Sequence, residues 1–313
     1  MFYRVLLIFC LSNTVAFAKA ADVSAQKLLE NMSQAMKQLD YQGTVAFFKN
    51  GRLDTMKYFH SVNNGQEQER LLSLNSPMRE VIREAGSVRC VFKKTNEVVV
   101  NNNPVSDSFI VDLPEDFATL HNVYSFVALE SESVAMLPAY VISIEPKDQY
   151  RYKRKIWINK ENFLPLKSEV YDLSGTTVEQ VVFTDIHVSS PISTASSIDH
   201  KVKNHNTKEQ VEPPSIEQAR IVLQQLPLHY SVVFYTRMDE RSMGQSTGHI
   251  LLSDGFSAVS VYIEDKGDDT KEGLRVLGSV KSLTKIIDNF QITVLGEVPV
   301  SAVRFIAQGI RLK

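Results

Sequence analysis

Tyr150-Arg-Tyr-Lys-Arg-Lys-Ile-Trp-Ile-Asn159, Phe163-Leu-Pro-Leu-Lys-Ser-Glu-Val-Tyr-Asp-Leu173 and Gly175-Thr-Thr-Val-Glu-Gln-Val-Val-Phe183 are three consecutive runs rich in β-branched and aromatic residues. Turn residues Asn159, Asn162, Ser174 and Gly175 part them, which is the pattern of an antiparallel meander. Alternation places Tyr152, Ile156 and Ile158 on one side of the first strand, and Arg151, Lys153, Lys155 and Trp157 on the other. In the second strand Leu166 and Val170 alternate with Lys167, Glu169 and Tyr171; in the third, Val178 and Val182 alternate with Glu179, Val181 and Phe183. A sheet with one apolar and one charged face needs a cover for the apolar one.

Upstream, Ala25, Leu28, Leu29, Met32, Ala35, Met36 and Leu39 recur at three- and four-residue steps, predicting a helix over 23–39 with Asp22 or Ser24 as cap. Its methionines read as core packing. Strand-like runs follow at 41–49, 53–62, 68–74 and 79–92, broken by Asn50-Gly51, Asn63-Asn64-Gly65, Ser76-Pro77 and Gly86. The spacing of Phe117, Leu120, Val123 and Tyr124 predicts a second helix over 112–129, with Pro114 near its first turn. A strand over 134–144 then leads into the meander. Helices over the apolar face of a long curved sheet give an α+β half-barrel. The space beneath them is either an ordinary filled core or an apolar cavity open to a lipid chain, and Phe47, Met56, Tyr58, Phe117 and Tyr124 are the candidate lining.

Residues 1–20 read as an export signal: Arg4, an apolar run from Val5 to Val15, and Ala18-Lys19-Ala20 before the cleavage point. Cys10 lies too early, after bulky Ile8 and Phe9, for lipoprotein attachment. Removal of Arg4 and Lys19 takes the formal charge from −2 to −4, which argues against nucleic acid as a partner. The remaining 293 residues suit two domains. Only Cys90 survives processing, alternating with Val88 and Phe92 as a small buried residue, so no intrachain disulfide forms.

The half-barrel domain spans 21–188. From 189 to 215 the chain loses apolar periodicity and reads as a linker. A smaller α+β domain follows over 216–313, with strands at 231–237, 248–253, 257–264, 274–283 and 290–295. Ser253-Asp254-Gly255 is a hairpin turn there, and Pro299 opens a helix that buries Val300, Val303, Ala307 and Ile310. Residues 217–226 are compatible with helix or strand.

Catalytic patterns are missing from this reading. His60, His121, His187, His229 and His249 stand alone, His200 and His205 lie in the linker, and none has metal-ligand spacing, so no metal or cofactor is expected. Gly244-Gln-Ser-Thr-Gly248 lacks the lysine of a phosphate loop and reads as a hairpin tip. Glu145, Asp148, Glu161, Asp172 and Glu179 fall at strand ends or on a polar face, where carboxylates are solvated. The row Arg151, Lys153, Lys155 beside Trp157 is either a solvated outer face or a contact for an acidic peptide or lipid headgroup; Arg79 and Arg83 join it as candidate contacts.

Ser76-Pro-Met-Arg-Glu-Val-Ile-Arg-Glu84, Val88-Arg-Cys-Val-Phe92, the meander's Trp157-Ile-Asn159, Leu164-Pro-Leu-Lys167, Asp172-Leu-Ser-Gly175 and Val178-Glu-Gln-Val-Val-Phe183, then Leu252-Ser-Asp-Gly-Phe256 and Ile292-Thr-Val-Leu-Gly-Glu-Val-Pro299 resemble the RseB/MucB family across nearly the whole chain. The resemblance implies an N-terminal half-barrel similar to the lipoprotein carriers LolA and LolB, and a periplasmic negative regulator of the sigma-E envelope-stress response. It further implies binding to the periplasmic part of a membrane-spanning anti-sigma factor (RseA or MucA), protection of that factor from the site-1 protease, and release by lipopolysaccharide or lipoprotein acyl chains. The chain departs from the family's Leu-Pro-x-Gly-Phe turn at Leu226-Pro-Leu-His-Tyr230, so His229 must adopt whatever φ that turn needs. The alternative function is a periplasmic lipid or lipoprotein carrier. Oligomeric state, a homo-oligomer included, stays open.

Overall fold

A computed structural model describes residues 24–74, 79–84, 86–92, 97–101, 108–114, 116–189, 215–240 and 245–313. The expected leader, the interior of the 189–215 connection and the tip at Gly244 lie outside the described residues. Helix α1 (Ala25–Gln38) starts at Ser24, whose hydroxyl accepts the Lys27 amide at 3.2 Å. It buries Ala25, Leu28, Leu29, Met32, Ala35 and Met36 of the expected stripe, while Leu39 lies one residue past its end and is half-buried.

Strands β1 (Tyr41–Lys49), β2 (Arg52–Asn63), β3 (Gln66–Ser73), β4 (Arg79–Glu84), β5 (Ser87–Phe92) and β6 (Glu97–Asn101) form one wing of a sheet. The other wing holds β7 (Tyr124–Val134), β8 (Leu137–Pro146), β9 (Lys153–Asn159), β10 (Pro165–Tyr171) and β11 (Thr177–Val188). Each wing is a meander, and pairing of β1 with β11 joins them into eleven antiparallel strands. Asn50-Gly51 and Asn64-Gly65, all at positive φ, make the tight turns that their sequence announces.

Two expectations about the elements of this half fail. The helix over 112–129 shrinks to a single 3₁₀ turn, Ala118–Asn122, and residues from Tyr124 onward are strand β7. Phe117, Leu120, Val123 and Tyr124 are all buried, so their spacing marked burial correctly but not a helix. What prevails is pairing of β7 with β8 through Ala135-Met136, two non-glycine residues at φ 50° and 63°. The outer face of the meander is also not purely polar. A bulge between Pro165 and Lys167 leaves Leu166 packed with Trp157, Val134, Ala139 and Val141 in a second apolar cluster.

In the C-terminal half, β13 (Ser231–Glu240), β14 (Gln245–Ser253), β15 (Ala258–Asp265), β16 (Gly273–Leu277), β17 (Val280–Ile287) and β18 (Phe290–Gly296) form a sheet of order β13-β14-β15-β18-β17-β16. The expected single strand over 274–283 is thus a hairpin, and Gln245–Gly248 is strand, not hairpin tip. Helix α2 (Val300–Gln308), opened by Pro299, covers one face with Ala302, Val303, Ile306 and Ala307. Val300 is only half-buried, and Ile310 packs from β19 (Ile310–Leu312), which pairs with β12 (Ile221–Leu223). Residues 216–226 therefore hold one 3₁₀ turn, Ile216–Gln218, and a short strand. His229 sits at φ 65°, so the turn does need a left-handed residue there. His249 and His60 are buried rather than surface residues: His249 stacks on Tyr262 and bonds Ser260, and His60 stacks on Tyr41 and bonds the Leu39 carbonyl.

The two sheets meet through a buried ion cluster. Arg151 is fully buried just before β9, so it is no member of an exposed cation row. Its Nε donates to Asp254 Oδ2 at 2.5 Å, and its other nitrogens donate to Asp148 and to the Leu228 carbonyl. Tyr124 and Tyr230 present their rings at 5.5 and 4.9 Å. Asp254 also accepts Tyr124 Oη–H at 2.9 Å and the Phe256 and Ser257 amides at 3.0 and 2.8 Å. The hairpin tip therefore carries Phe256 into the N-terminal core, where it contacts Phe117, Tyr124 and Phe126. Gly255, at φ 93°, lies so close to Pro114 that a Cβ there would clash at 2.6 Å.

Two measurements follow from this architecture. Replacing Ala135-Met136 by Asn-Gly is expected to raise stability by about 1 kcal/mol, because Met136 is 97% exposed and loses no packing; an unchanged or lowered denaturant midpoint refutes this. Arg151→Met or Asp254→Asn alone is expected to cost about 3–5 kcal/mol by leaving a buried partner unpaired. The double variant is expected to cost less than the sum of the two, and additivity in denaturant unfolding would refute direct coupling.

Candidate functional site

The interior of the N-terminal sheet is organised by a buried carboxylate. Glu69 on β3 accepts Tyr58 Oη–H at 2.7 Å, Arg83 Nε at 2.9 Å, Ser108 Oγ–H at 2.8 Å and the Phe109 amide at 3.1 Å. Arg83 stacks over Phe109 at 4.7 Å. Tyr58 also meets Tyr41 at 3.3 Å between hydroxyls, and burial pushes both phenols up. A carboxylate taken out of water needs donors in this number to replace its lost hydration.

The five residues expected to line an apolar cavity come together in this half: Tyr58, Phe117 and Tyr124 belong to its core, and Phe47 and Met56 pack against it. The hydroxyls of Tyr58 and Tyr124 are committed to Glu69 and Asp254. A cleft of about 300 Å³ lies beside α1, lined by Glu30, Ser33, Gln34, Lys37, Gln38 and Phe117. Of the five, Phe117 alone borders it, and the rest of its lining is polar.

The six expected polar contacts scatter. Arg79 contributes its backbone to β4, and its side chain lies outside the described residues. Arg83 and Arg151 are internal, held by Glu69 and Asp254. Trp157 is buried, with Nε1 donating to Glu132 at 2.8 Å and Lys167 over its ring at 4.2 Å. Lys153 and Lys155 remain half-exposed on the outer face; Lys153 pairs with Glu145 at 2.8 Å, and Lys155 sits 5.6 Å over the Tyr171 ring.

Two carboxylates expected to be solvated work at the junction instead. Asp148 holds Arg151, and Glu179 shares Lys49 with Glu297 of the C-terminal half, at 3.3 and 2.5 Å. Burial and the adjacent Glu179 raise the Glu297 carboxyl above its ordinary value. Burial opposes ionisation of Glu179 too, but Lys49 and a hydrogen bond from Glu297 hold it below the usual range. Asn50 adds a further link, accepting the Ser279 amide at 3.0 Å. Asp254, Glu69 and Glu297 were not candidates in the sequence. The available signal for Asp254 was Phe256, a large aromatic two residues on at the same hairpin tip.

Residues 24–211 match the MucB/RseB N-terminal domain and residues 215–311 the MucB/RseB C-terminal domain. The chain is 24% identical over 301 residues to the sigma-E factor regulatory protein RseB of Haemophilus influenzae, covering 95% of this chain and 94% of that one. It is 24% identical to the sigma factor AlgU regulatory protein MucB of Pseudomonas aeruginosa, covering 97% and 96%. The solved complex of MucA and MucB from Pseudomonas aeruginosa contains a chain that superposes with TM-score 0.72 at 23% identity, covering 92% of this chain and 99% of that one. With both domain matches in order along the sequence, the chain belongs to the MucB/RseB family.

Proposed function

We propose that this protein is a periplasmic regulator that binds the periplasmic segment of a membrane-spanning anti-sigma factor and shields it from site-1 proteolysis, tuning an envelope-stress response. Family membership over both halves is the observation that carries this reading. It is supported by the regulatory names of the relatives and by a relative's solved complex with MucA. Steric shielding requires affinity and no reacting groups, in keeping with tyrosines, carboxylates and arginines that are spent on holding the fold. Release by lipopolysaccharide or lipoprotein acyl chains belongs to the same proposal.

The mature chain, titrated against a soluble periplasmic fragment of the anti-sigma factor, is expected to form a complex and to slow cleavage of that fragment by the site-1 protease. Lys153→Glu with Lys155→Glu is expected to weaken the complex about tenfold at low salt without lowering the unfolding midpoint, since exposed lysine pairs contribute little to stability. Arg151 is left out because reversing a buried charge tests folding. Unchanged affinity removes these lysines from the contact surface. Failure to bind or protect, together with transfer of copurified acyl chains to acceptor vesicles, would establish the carrier reading in its place.

A further inference from the structure

The stretch that replaces the expected second helix joins two remote clamps. Residues Ser108–Pro114 form neither helix nor strand, and their amides turn to side-chain acceptors: Ser108 to Asp112 at 3.2 Å, Phe109 to Glu69, and Ile110 to Ser108 Oγ at 3.1 Å. At one end Glu69 and Arg83 grip Ser108 and Phe109 from the middle of the N-terminal sheet. At the other, Pro114 lies against Gly255, Phe117 against Phe256, and Tyr124 bonds Asp254. Between them Ile110, Val111, Leu120 and Val123 are buried in one continuous core.

Residues 108–114 have no hydrogen-bonded ladder of their own and take their position from whatever holds them. Here one end is set by a carboxylate inside the N-terminal sheet and the other by the hairpin through which the C-terminal half docks. We propose that residues 108–114, with the 3₁₀ turn at 118–122 and Tyr124 beyond them, act as a strap that energetically couples the Glu69 clamp to the Asp254–Phe256 junction, so that loosening either end loosens the other. Anything that enters the N-terminal interior at Phe109 then alters how the C-terminal half is seated, and anything that shifts the junction alters access to that interior, by the same factor. The coupling is a property of the chain alone and stands or falls independently of the partner proposed above.

The test is amide hydrogen exchange on the full mature chain. The Phe256 and Ser257 amides, bonded to Asp254, report the junction, and the Phe109 amide, bonded to Glu69, reports the interior clamp. Glu69→Gln is expected to speed exchange at Phe256 and Ser257 at least about fivefold, and Asp254→Asn to speed exchange at Phe109 by a similar factor. Val141→Ala, a truncation in the separate apolar cluster on the outer face of the meander, serves as the control for general destabilisation and is expected to leave the ratio of these amides to global exchange unchanged. Should Glu69→Gln not fold, Ser108→Ala weakens the same clamp more gently. Exchange that rises only next to each substitution, or that rises equally in Val141→Ala, overturns the proposal.

Discussion

A guanidinium cannot be left in a protein interior with unpaired donors, and Arg151 is the largest fully buried side chain described in this molecule. Its acceptors come from both halves: Asp148 from the connection before β9, Asp254 from the β14–β15 hairpin, and the Leu228 carbonyl from the approach to β13. Only when the halves are assembled is the charge satisfied, so the pair specifies one relative placement more than it adds net stability. The geometry also explains the left-handed residue nearby. Holding His229 at φ 65° costs about 1–2 kcal/mol. A hydrogen bond from a charged group to the adjoining Leu228 carbonyl contributes about 1.5–3 kcal/mol, enough to offset it. His229 is thus tolerated in the left-handed region where the carbonyl next to it is held by a charge.

The large sheet poses a second problem, one of coverage. Eleven strands spaced about 4.8 Å apart are roughly 50 Å across. A helix of 14 residues is about 21 Å long and about 10 Å wide, so α1 shields only part of one face. The strap and Phe256, which is borrowed from the other half, bury a further part of it. This is why the N-terminal core includes a residue from a hairpin more than 130 positions downstream of Tyr124, to whose ring it packs. It is also why Tyr41, Tyr58 and Tyr124 are buried with their hydroxyls occupied: irregular cover brings polar backbone inward, and the Glu69 and Asp254 networks absorb it.

How much of this is legible in the sequence depends on whether the determining contact is local. The α1 stripe, the Asn-Gly turns and the alternation of β9 are local, and they read correctly; in β10 and β11 the faces are exchanged, since Leu166 and Val182 pack with Trp157 outside while Val181 and Phe183 enter the core. Strand β7 does not read correctly either, because Phe117, Leu120 and Val123 satisfy a helical period for two turns. The hairpin that overrules it turns on Ala135-Met136, a pair with no propensity for positive φ. Pairing along β7 and β8 supplies what the turn lacks, and pairing partners are invisible to a window of a dozen residues. Arg151 misleads for a similar reason. In sequence it is the first of three alternating cations, whereas its environment is set by Asp254, 103 residues away. Of the candidate contacts, only those whose role is to stay at the surface, Lys153 and Lys155, could be placed from the chain itself.

The same distinction bears on what the outer face of the meander can contribute to recognition. Lys153 faces Glu145, Lys167 reaches Glu169 at 2.7 Å, and Lys155 and Lys167 lie over the rings of Tyr171 and Trp157. Each cation has a carboxylate or an aromatic face within reach, so the surface presents alternating sign rather than a basic field. Beyond a Debye length of about 8 Å such a pattern cancels, and it attracts neither an acidic peptide nor an anionic membrane from a distance. A partner that lands there must exchange existing pairs for new ones, which makes the face a source of register and selectivity and not of association rate. Tight holding then has to come from apolar contact elsewhere, because the two apolar cores are closed within their own halves, with Phe256 crossing from the C-terminal half into the N-terminal core.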